Sequence, residues 1–251
     1  MMKRSELVAF LDEYLDIADV VDKSFNGLQV EGAEEVSRIS FAVDFCLASA
    51  EAARKQSSQM LVVHHGFFWG KVEPLTGHRL RQISALLKGE LNLYAAHLPL
   101  DAHPEVGNNI QLARMLDLRN IAPFGRYNGL DIGVTGELPG PLKPDDLARR
   151  LDKLLQGKTQ VFKFGSRKIN RVAVVSGDAA SLAEEAANAQ ADAFITGEIS
   201  HTAYHVVQER GIHLLCAGHY ATETVGLRAL AARLQQEFSL ETRWIDLPTG
   251  V

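Results

Sequence analysis

The sequence predicts an α/β protein built from two similar lobes, and three observations lead there. Short runs rich in Val, Ile and Leu alternate with amphipathic or alanine-rich stretches, the alternation occurs twice along 251 residues, and polar clusters follow the ends of the apolar runs. The most informative clusters are His64-His65 after Leu61-Val62-Val63, the segment 97–103 (HLPLDAH), and His219 with Glu223 in 218–223 (GHYATE). Strand ends are where α/β proteins build their sites, and the simplest use of several imidazoles and carboxylates there is metal binding.

The elements follow in order. Leu7, Val8, Phe10, Leu11, Tyr14 and Leu15 recur at helical spacing behind Ser5, the expected N-cap, so the chain opens with an amphipathic helix. Asn26-Gly27 marks a turn. Ile39 to Val43 reads as a strand, Leu47 to Gln56 as a helix and Met60 to Val63 as a buried strand, which together make a βαβ unit. Leu80 to Lys88 is a helix and Leu91 to Ala96 a strand. The segment 97–109 holds two prolines and a glycine and reads as a loop, with Asn108 capping a helix through Leu116.

From Asp117 to Pro144 the chain is rich in Gly and Pro, and the lobe boundary is placed there, giving 1–124 and 125–251. The second half repeats the grammar of the first. Val172 to Ser176, Ala193 to Thr196 and His213 to Ala217 read as strands, Ala179 to Ala189 and Ala203 to Arg210 as helices.

Composition narrows the function classes. A 46% hydrophobic content is ample for a core, and a net charge of -5 without like-charge blocks counts against nucleic acid and anionic membranes as partners. No apolar run approaches a membrane span, and Cys46 and Cys216 sit far apart in apolar contexts, as buried free thiols of a reducing compartment would. A cytoplasmic location is expected.

Each chemistry-bearing residue has a plainer alternative. His64 and His65 at a strand-to-loop junction before Gly66 can turn toward one pocket and each serve a metal, or they can be hydrogen-bonded loop histidines. His219 and Glu223 share one helix face at i,i+4, which suits ligation and equally an ordinary helix start. Asp101 is a ligand candidate or a turn residue. Glu198 caps a helix or supports a ligand histidine. His201 and His205 also stand four apart, but no carboxylate or cysteine accompanies them at ligand spacing. Phe68 and Trp69 follow a glycine and are candidates to wall a pocket for a flat heterocycle, against a default of core packing. Gly157-Lys158-Thr159 imitates the end of a phosphate-binding loop, but Asp152 stands where glycine is needed. No dinucleotide fingerprint, serine-nucleophile elbow or common zinc motif is present.

Taken in order, the segments 26–32 (NGLQVEG), 62–69 (VVHHGFFW), 97–109 (HLPLDAHPEVGNN), 192–198 (DAFITGE) and 217–223 (AGHYATE) resemble the bacterial GTP cyclohydrolase 1 type 2 homologue family, also called Nif-three-like. The resemblance runs from about residue 3 to Pro248 and is least distinctive from Asp117 to Asn170. It implies two metal ions in a cleft between two α/β lobes and subunits assembled as a toroidal hexamer. Carried over position by position, it makes His64, His65, Asp101, His219 and Glu223 the metal ligands, with Glu223 bridging, and His97 a supporting or proton-handling neighbour. The chain is too short for the PII-like domain that some members insert between the lobes. The activity implied is that of a dinuclear metal-dependent hydrolase opening a purine nucleotide or related heterocycle through metal-activated water, with His97 or Glu198 moving protons. Mixed imidazole and carboxylate ligands suit Zn, Fe, Mn or Co without choosing among them. The rival reading is a metal-binding or metal-delivery protein without turnover. A ring-shaped scaffold for nucleic acid or protein is a third, and the acidic balance counts against nucleic acid.

Overall fold

Apolar segments bounded by polar or glycine residues set the central strands, and the computed structural model describes them over residues 1–165 and 168–250. From the amino terminus come β1 (Met2–Lys3), α1 (Arg4–Tyr14), β2 (Gly27–Val30), β3 (Glu35–Val36), β4 (Arg38–Asp44), α2 (Leu47–Lys55), β5 (Met60–His65), α3 (Gly77–Lys88), β6 (Asn92–Ala95) and α4 (Leu98–Ala102). The chain continues through α5 (Asn108–Met115), β7 (Arg119–Tyr127), β8 (Leu130–Leu142), α6 (Pro144–Leu155), β9 (Gln160–Phe162) and β10 (Ile169–Val174). A 3-10 turn (Ala180–Leu182) leads into α7 (Ala183–Asn188), β11 (Ala193–Thr196), α8 (His201–Arg210), β12 (His213–Cys216), α9 (His219–Phe238) and β13 (Glu241–Trp244).

These elements make two compact units. The first contains Met1–Leu100 and Leu227–Leu247, the second Asp101–Gly226 with the residues from Pro248. The expected division at 124/125 therefore moves, for two physical reasons. The Gly- and Pro-rich stretch taken for a boundary is the long antiparallel pair β7–β8 of the second unit's own sheet, and the carboxy-terminal β13 pairs in parallel with β4 of the first.

In the first unit a five-stranded sheet runs β13-β4-β5-β6-β2, with a small β1-β3 pair beside it. β4, β5 and β6 are parallel and buried on both faces, which is why Met60 to Val63 is uninterrupted apolar sequence. The register sets Asp44 beside His65 at the carboxyl ends of β4 and β5. Leu61, Val63, Leu86, Leu91 and Leu93 form the core on one side.

In the second unit a six-stranded sheet runs β7-β8-β10-β11-β12-β9, with β10, β11 and β12 parallel. Leu147 and Leu151 of α6 pack with Val172, Val174, Ile195 and Leu215 in its core. α9 belongs to this unit through Gly226 and to the first from Leu227.

Four local expectations change. The N-cap of α1 is Lys3, with no side-chain cap bond, so Ser5 lies inside the first turn. The segment 97–109 is not all loop, because α4 accommodates Pro99 in its first turn, where a missing N–H costs no helical bond. The N-cap of α5 is Gly107, which releases the Asn108 side chain for another task. Cys46 is more than packing: its sulfur accepts the Ser49 N–H at 3.4 Å and completes a capping box for α2. Among the described residues no helix is long and apolar enough to cross a membrane.

Candidate metal centre

In the first unit β5 delivers His64, fully buried, and His65, half-buried, to its carboxyl end. The chain must turn tightly next: a Cβ on Gly66 would lie 2.4 Å from Gln29 Nε2 and 2.7 Å from Ala95 Cβ, while Gln29 Oε1 accepts the Phe67 N–H at 2.7 Å. β6 delivers His97 one strand over. The ring centroids stand 4.8 Å apart for His64 and His65, 4.9 Å for His64 and His97, and 5.5 Å for His65 and His97. One ligating atom from each of the three residues lies within 4.8 Å of the others.

Each ring is held from behind. His64 Nδ1 donates to the Ala96 carbonyl at 2.9 Å, His65 Nδ1 to Asp44 Oδ1 at 2.8 Å, and His97 Nδ1 to Asp22 Oδ2 at 3.0 Å. All three partners are acceptors, so the proton sits on Nδ1 and Nε2 is the nitrogen a metal would take. The Asp22 side chain, 3% exposed, also accepts from Asn26 Nδ2 and the Leu98 N–H. Burial opposes its charge, but the His97 bond and charge, with Asn26 and Leu98, hold its carboxyl well below the usual carboxylate range.

In the second unit the carboxyl ends of β10, β11 and β12 are laced by glycines. The Gly197 N–H donates to the Gly177 carbonyl at 2.8 Å, and the Gly218 N–H to the Gly197 carbonyl at 2.9 Å. On this platform His219 starts α9. Its Nδ1 donates to Glu198 Oε1 at 2.6 Å, and its Nε2 lies 3.1 Å from Glu223 Oε1 one turn on. The hydrogen bond to Glu223, then that carboxylate's charge and Glu198, outweigh burial and push the imidazole up to about 9. A metal ion taking this nitrogen would displace that proton.

Asp101, on α4, is buried, and its Oδ1 accepts from Asn108 Nδ2 at 2.8 Å and Ser176 Oγ at 2.9 Å. Asn108 Oδ1 in turn accepts the Gly226 N–H of α9 at 2.8 Å, tying ligand candidate and helix together. Gly177 has φ +65, and a Cβ there would sit 2.3 Å from Glu223 Oε1, so the carboxylate occupies the space a side chain would fill.

The fold thus groups His64, His65 and His97 in one unit, and His219, Glu223 and Glu198 in the other. The residues fit divalent metal: a buried carboxylate, imidazoles fixed at Nδ1, and a glycine where bulk would intrude. Phe68 stacks edge-on to Phe67 and packs on the core, whereas Trp69 is 36% exposed and lies edge-on to His97 at 5.0 Å. His201 and His205 are exposed on α8 with centroids 6.5 Å apart and belong to no three-donor group among the described residues. Sequence reading missed Asp22, Asp44, Asn108 and Ser176. Asp44 could have been found as the polar residue ending an apolar strand next in register to His65.

The sequence model of the Duf34/NIF3 (NGG1p interacting factor 3) family matches residues 2–249. A Pyrococcus abyssi protein named GTP cyclohydrolase 1 type 2 homolog is 49% identical over 251 residues, covering all of both chains. One of the same name from Deinococcus radiodurans is 44% identical over 99% of this chain and 94% of its own. The solved structure of TTHA1606 from Thermus thermophilus superposes with a TM-score of 0.92 at 44% identity over the whole of both chains.

Proposed function

Because this chain belongs to the Duf34/NIF3 family, whose similar members carry the name GTP cyclohydrolase 1 type 2 homolog, we propose that it is a dinuclear metal-dependent hydrolase acting on a purine nucleotide or related heterocycle. The observation that carries this reading is the donor set itself: imidazoles whose Nδ1 atoms are each engaged by a carboxylate or carbonyl, accompanied by two buried carboxylates. In the proposal His64, His65, Asp101, His219 and Glu223 would hold two ions of the Zn, Fe, Mn or Co class, with Glu223 the carboxylate on which both would depend. Such ions supply Lewis acidity and bring the pKa of a coordinated water toward neutrality.

The chain's own residues do the rest. Glu198, bonded to His219 Nδ1 and half-exposed, fixes that imidazole and is positioned to carry a proton, and His97 with its Asp22 partner is the other proton-handling candidate. The exposed ring of Trp69 beside His65 and His97 offers a face to a planar base. A homo-oligomer, by resemblance a toroidal hexamer, is part of the proposal, and the solution mass by light scattering tests it.

Elemental analysis of protein purified without chelator, followed by incubation with GTP and assay for formate, tests the activity. About two metals per chain with formate release supports the hydrolase. Two metals with no formate and no turnover across a nucleotide panel favours the rival, a protein that holds or delivers metal. No metal after reloading removes both.

A further inference from the structure

We propose that β13 is a surface through which two copies of this chain pair, their edge strands running antiparallel about a two-fold axis at Thr242 and joining the two five-stranded sheets into one. The inference rests on the homo-oligomer of the proposed function and names one of its contacts, while owing nothing to the metal chemistry.

Backbone hydrogen bonding leaves one side of β13 open among the described residues. The strand ends its sheet, paired in parallel with β4, and carries neither the proline nor the bulge that keeps many edge strands apart. The Glu241 N–H donates to the Ser37 carbonyl at 3.0 Å and the Ile245 N–H to the Phe41 carbonyl at 2.9 Å. Because alternate residues of a ladder face alternate sides, Glu241, Arg243 and Ile245 turn their backbone groups toward β4, and Thr242 and Trp244 turn theirs outward. An arriving strand meets the N–H and C=O groups of Thr242 and Trp244.

The side chains say which strand that is. An antiparallel partner must set outward-facing residues against each other, so a two-fold axis through the middle of the strand falls on residue 241, 242 or 243. An axis at Glu241 opposes two carboxylates, and one at Arg243 opposes two guanidinium groups. The axis at Thr242 instead sets Glu241 against the partner's Arg243, Arg243 against the partner's Glu241, and threonine against threonine. Opposite charges and threonine pairs are cross-strand neighbours that stabilise a sheet, and like charges destabilise it, so charge selects this register. Both charged side chains are open to re-pairing: within one chain Arg243 Nη2 donates to Glu241 Oε1, and the two are 55% and 39% exposed. Arg38 Nε, donating to Glu241 Oε2 at 2.7 Å, fixes that carboxylate at the edge. The same axis brings both copies of α9 to one face of the joined sheet. A groove of about 250 Å3 there, lined by Phe41, Arg228, Ala231, Ala232, Gln235 and Trp244, gives the helices room to approach.

Light scattering and oxidative cross-linking of the full-length protein test the contact. Arg243→Glu puts carboxylates on both sides of the axis and should halve the solution mass, with far-UV circular dichroism and the melting curve reporting whether the variant folds. Thr242→Cys in a Cys46→Ser background should form a disulfide-linked dimer under mild oxidation, because residues directly opposite in such a pair have Cα atoms about 5.5 Å apart, within the span a disulfide bridges. Lys158→Cys in the same background, exposed on the second unit, should not. The cross-link decides the matter if Arg243→Glu fails to fold. A folded Arg243→Glu protein with the wild-type mass overturns this interface and leaves the homo-oligomer standing. Absence of the Thr242→Cys cross-link, or an equal yield from Lys158→Cys, overturns it as well. A monomeric wild type overturns the interface and the homo-oligomer together, and leaves the hydrolase reading to its own metal and formate assays.

Discussion

Gly177 is the position where one added methyl group would do most damage. Its φ of +65 costs an L-residue about 1–2 kcal/mol, and the new Cβ would lie 2.3 Å from Glu223 Oε1 and 3.3 Å from His219 Nε2. Gly177→Ala should therefore lower the denaturation midpoint and weaken metal binding at least about tenfold, as loss of ligand positioning does; unchanged metal affinity would show that Glu223 is not held there. Glu223→Ala should lower the occupancy of both ions, while Cys46→Ser, whose hydroxyl can still cap α2, should keep wild-type metal content by elemental analysis. Cys216 supplies a pH test. Burial first, and the Glu198 charge second, push its thiol up to about 12, so it stays neutral where an unfolded thiol begins to ionise. Its contribution to stability is complete below the unfolded value of 9.0 and is lost as pH rises toward about 12. Iodoacetamide at pH 8 should label Cys216 far more slowly in the folded protein than in urea, and equal rates would mean that the site opens.

At the scale of elements, helix α4 shows why sequence reading stopped short. The ligand candidates around it were legible because HLPLDAH follows an apolar strand, but its helix was not, since Pro99 reads as a breaker unless its place in the first turn is known. What secures that turn comes from afar: Asp22 accepts the Leu98 N–H at 3.1 Å and holds His97, an association invisible in one dimension. Asp22→Ala leaves those donors without their buried acceptor and should cost about 1–3 kcal/mol in urea denaturation. Because the Asp22 carboxyl is held below its ordinary value, the stability it confers is present above the unfolded carboxylate range and disappears as pH falls through the folded value. Wild type should thus lose its advantage over the Asp22→Ala variant in acid, and a pH-independent difference would contradict the pairing. The β7–β8 hairpin was missed for the opposite reason. Its signal was local and readable, Asn128-Gly129 with both residues at positive φ, but Gly133, Gly136 and Pro139 to Pro141 disguised the flanking strand as linker.

The whole molecule adds a constraint that neither residues nor elements reveal. Buried parallel strands announce themselves by unbroken apolar runs, so the two α/β cores and the strand ends bearing His64, His65 and His219 could be read from sequence. The allocation of the carboxy terminus could not, because β13 is short, half-exposed and reads ETRW, and only its pairing with β4 shows where it belongs. The first unit is consequently discontinuous in sequence, and its sheet is completed by residues far from its ligand candidates. Removing everything from Leu240 onward would expose the β4 edge and delete Leu240 and Ile245, which are 1% and 4% exposed. Each such buried side chain is worth about 2–5 kcal/mol, against a total stability of about 5–15 kcal/mol for an ordinary domain. The truncated chain should lose the cooperative melting of its first unit, and with it the registered pair Asp44 and His65, so cobalt binding through His64 and His65 should vanish although both remain present. The single substitution Leu240→Ala should fold, melt earlier and still bind cobalt. If the truncated chain melted like the whole protein and kept its metal, β13 would be an appendage and not the fifth strand on which the site's geometry depends.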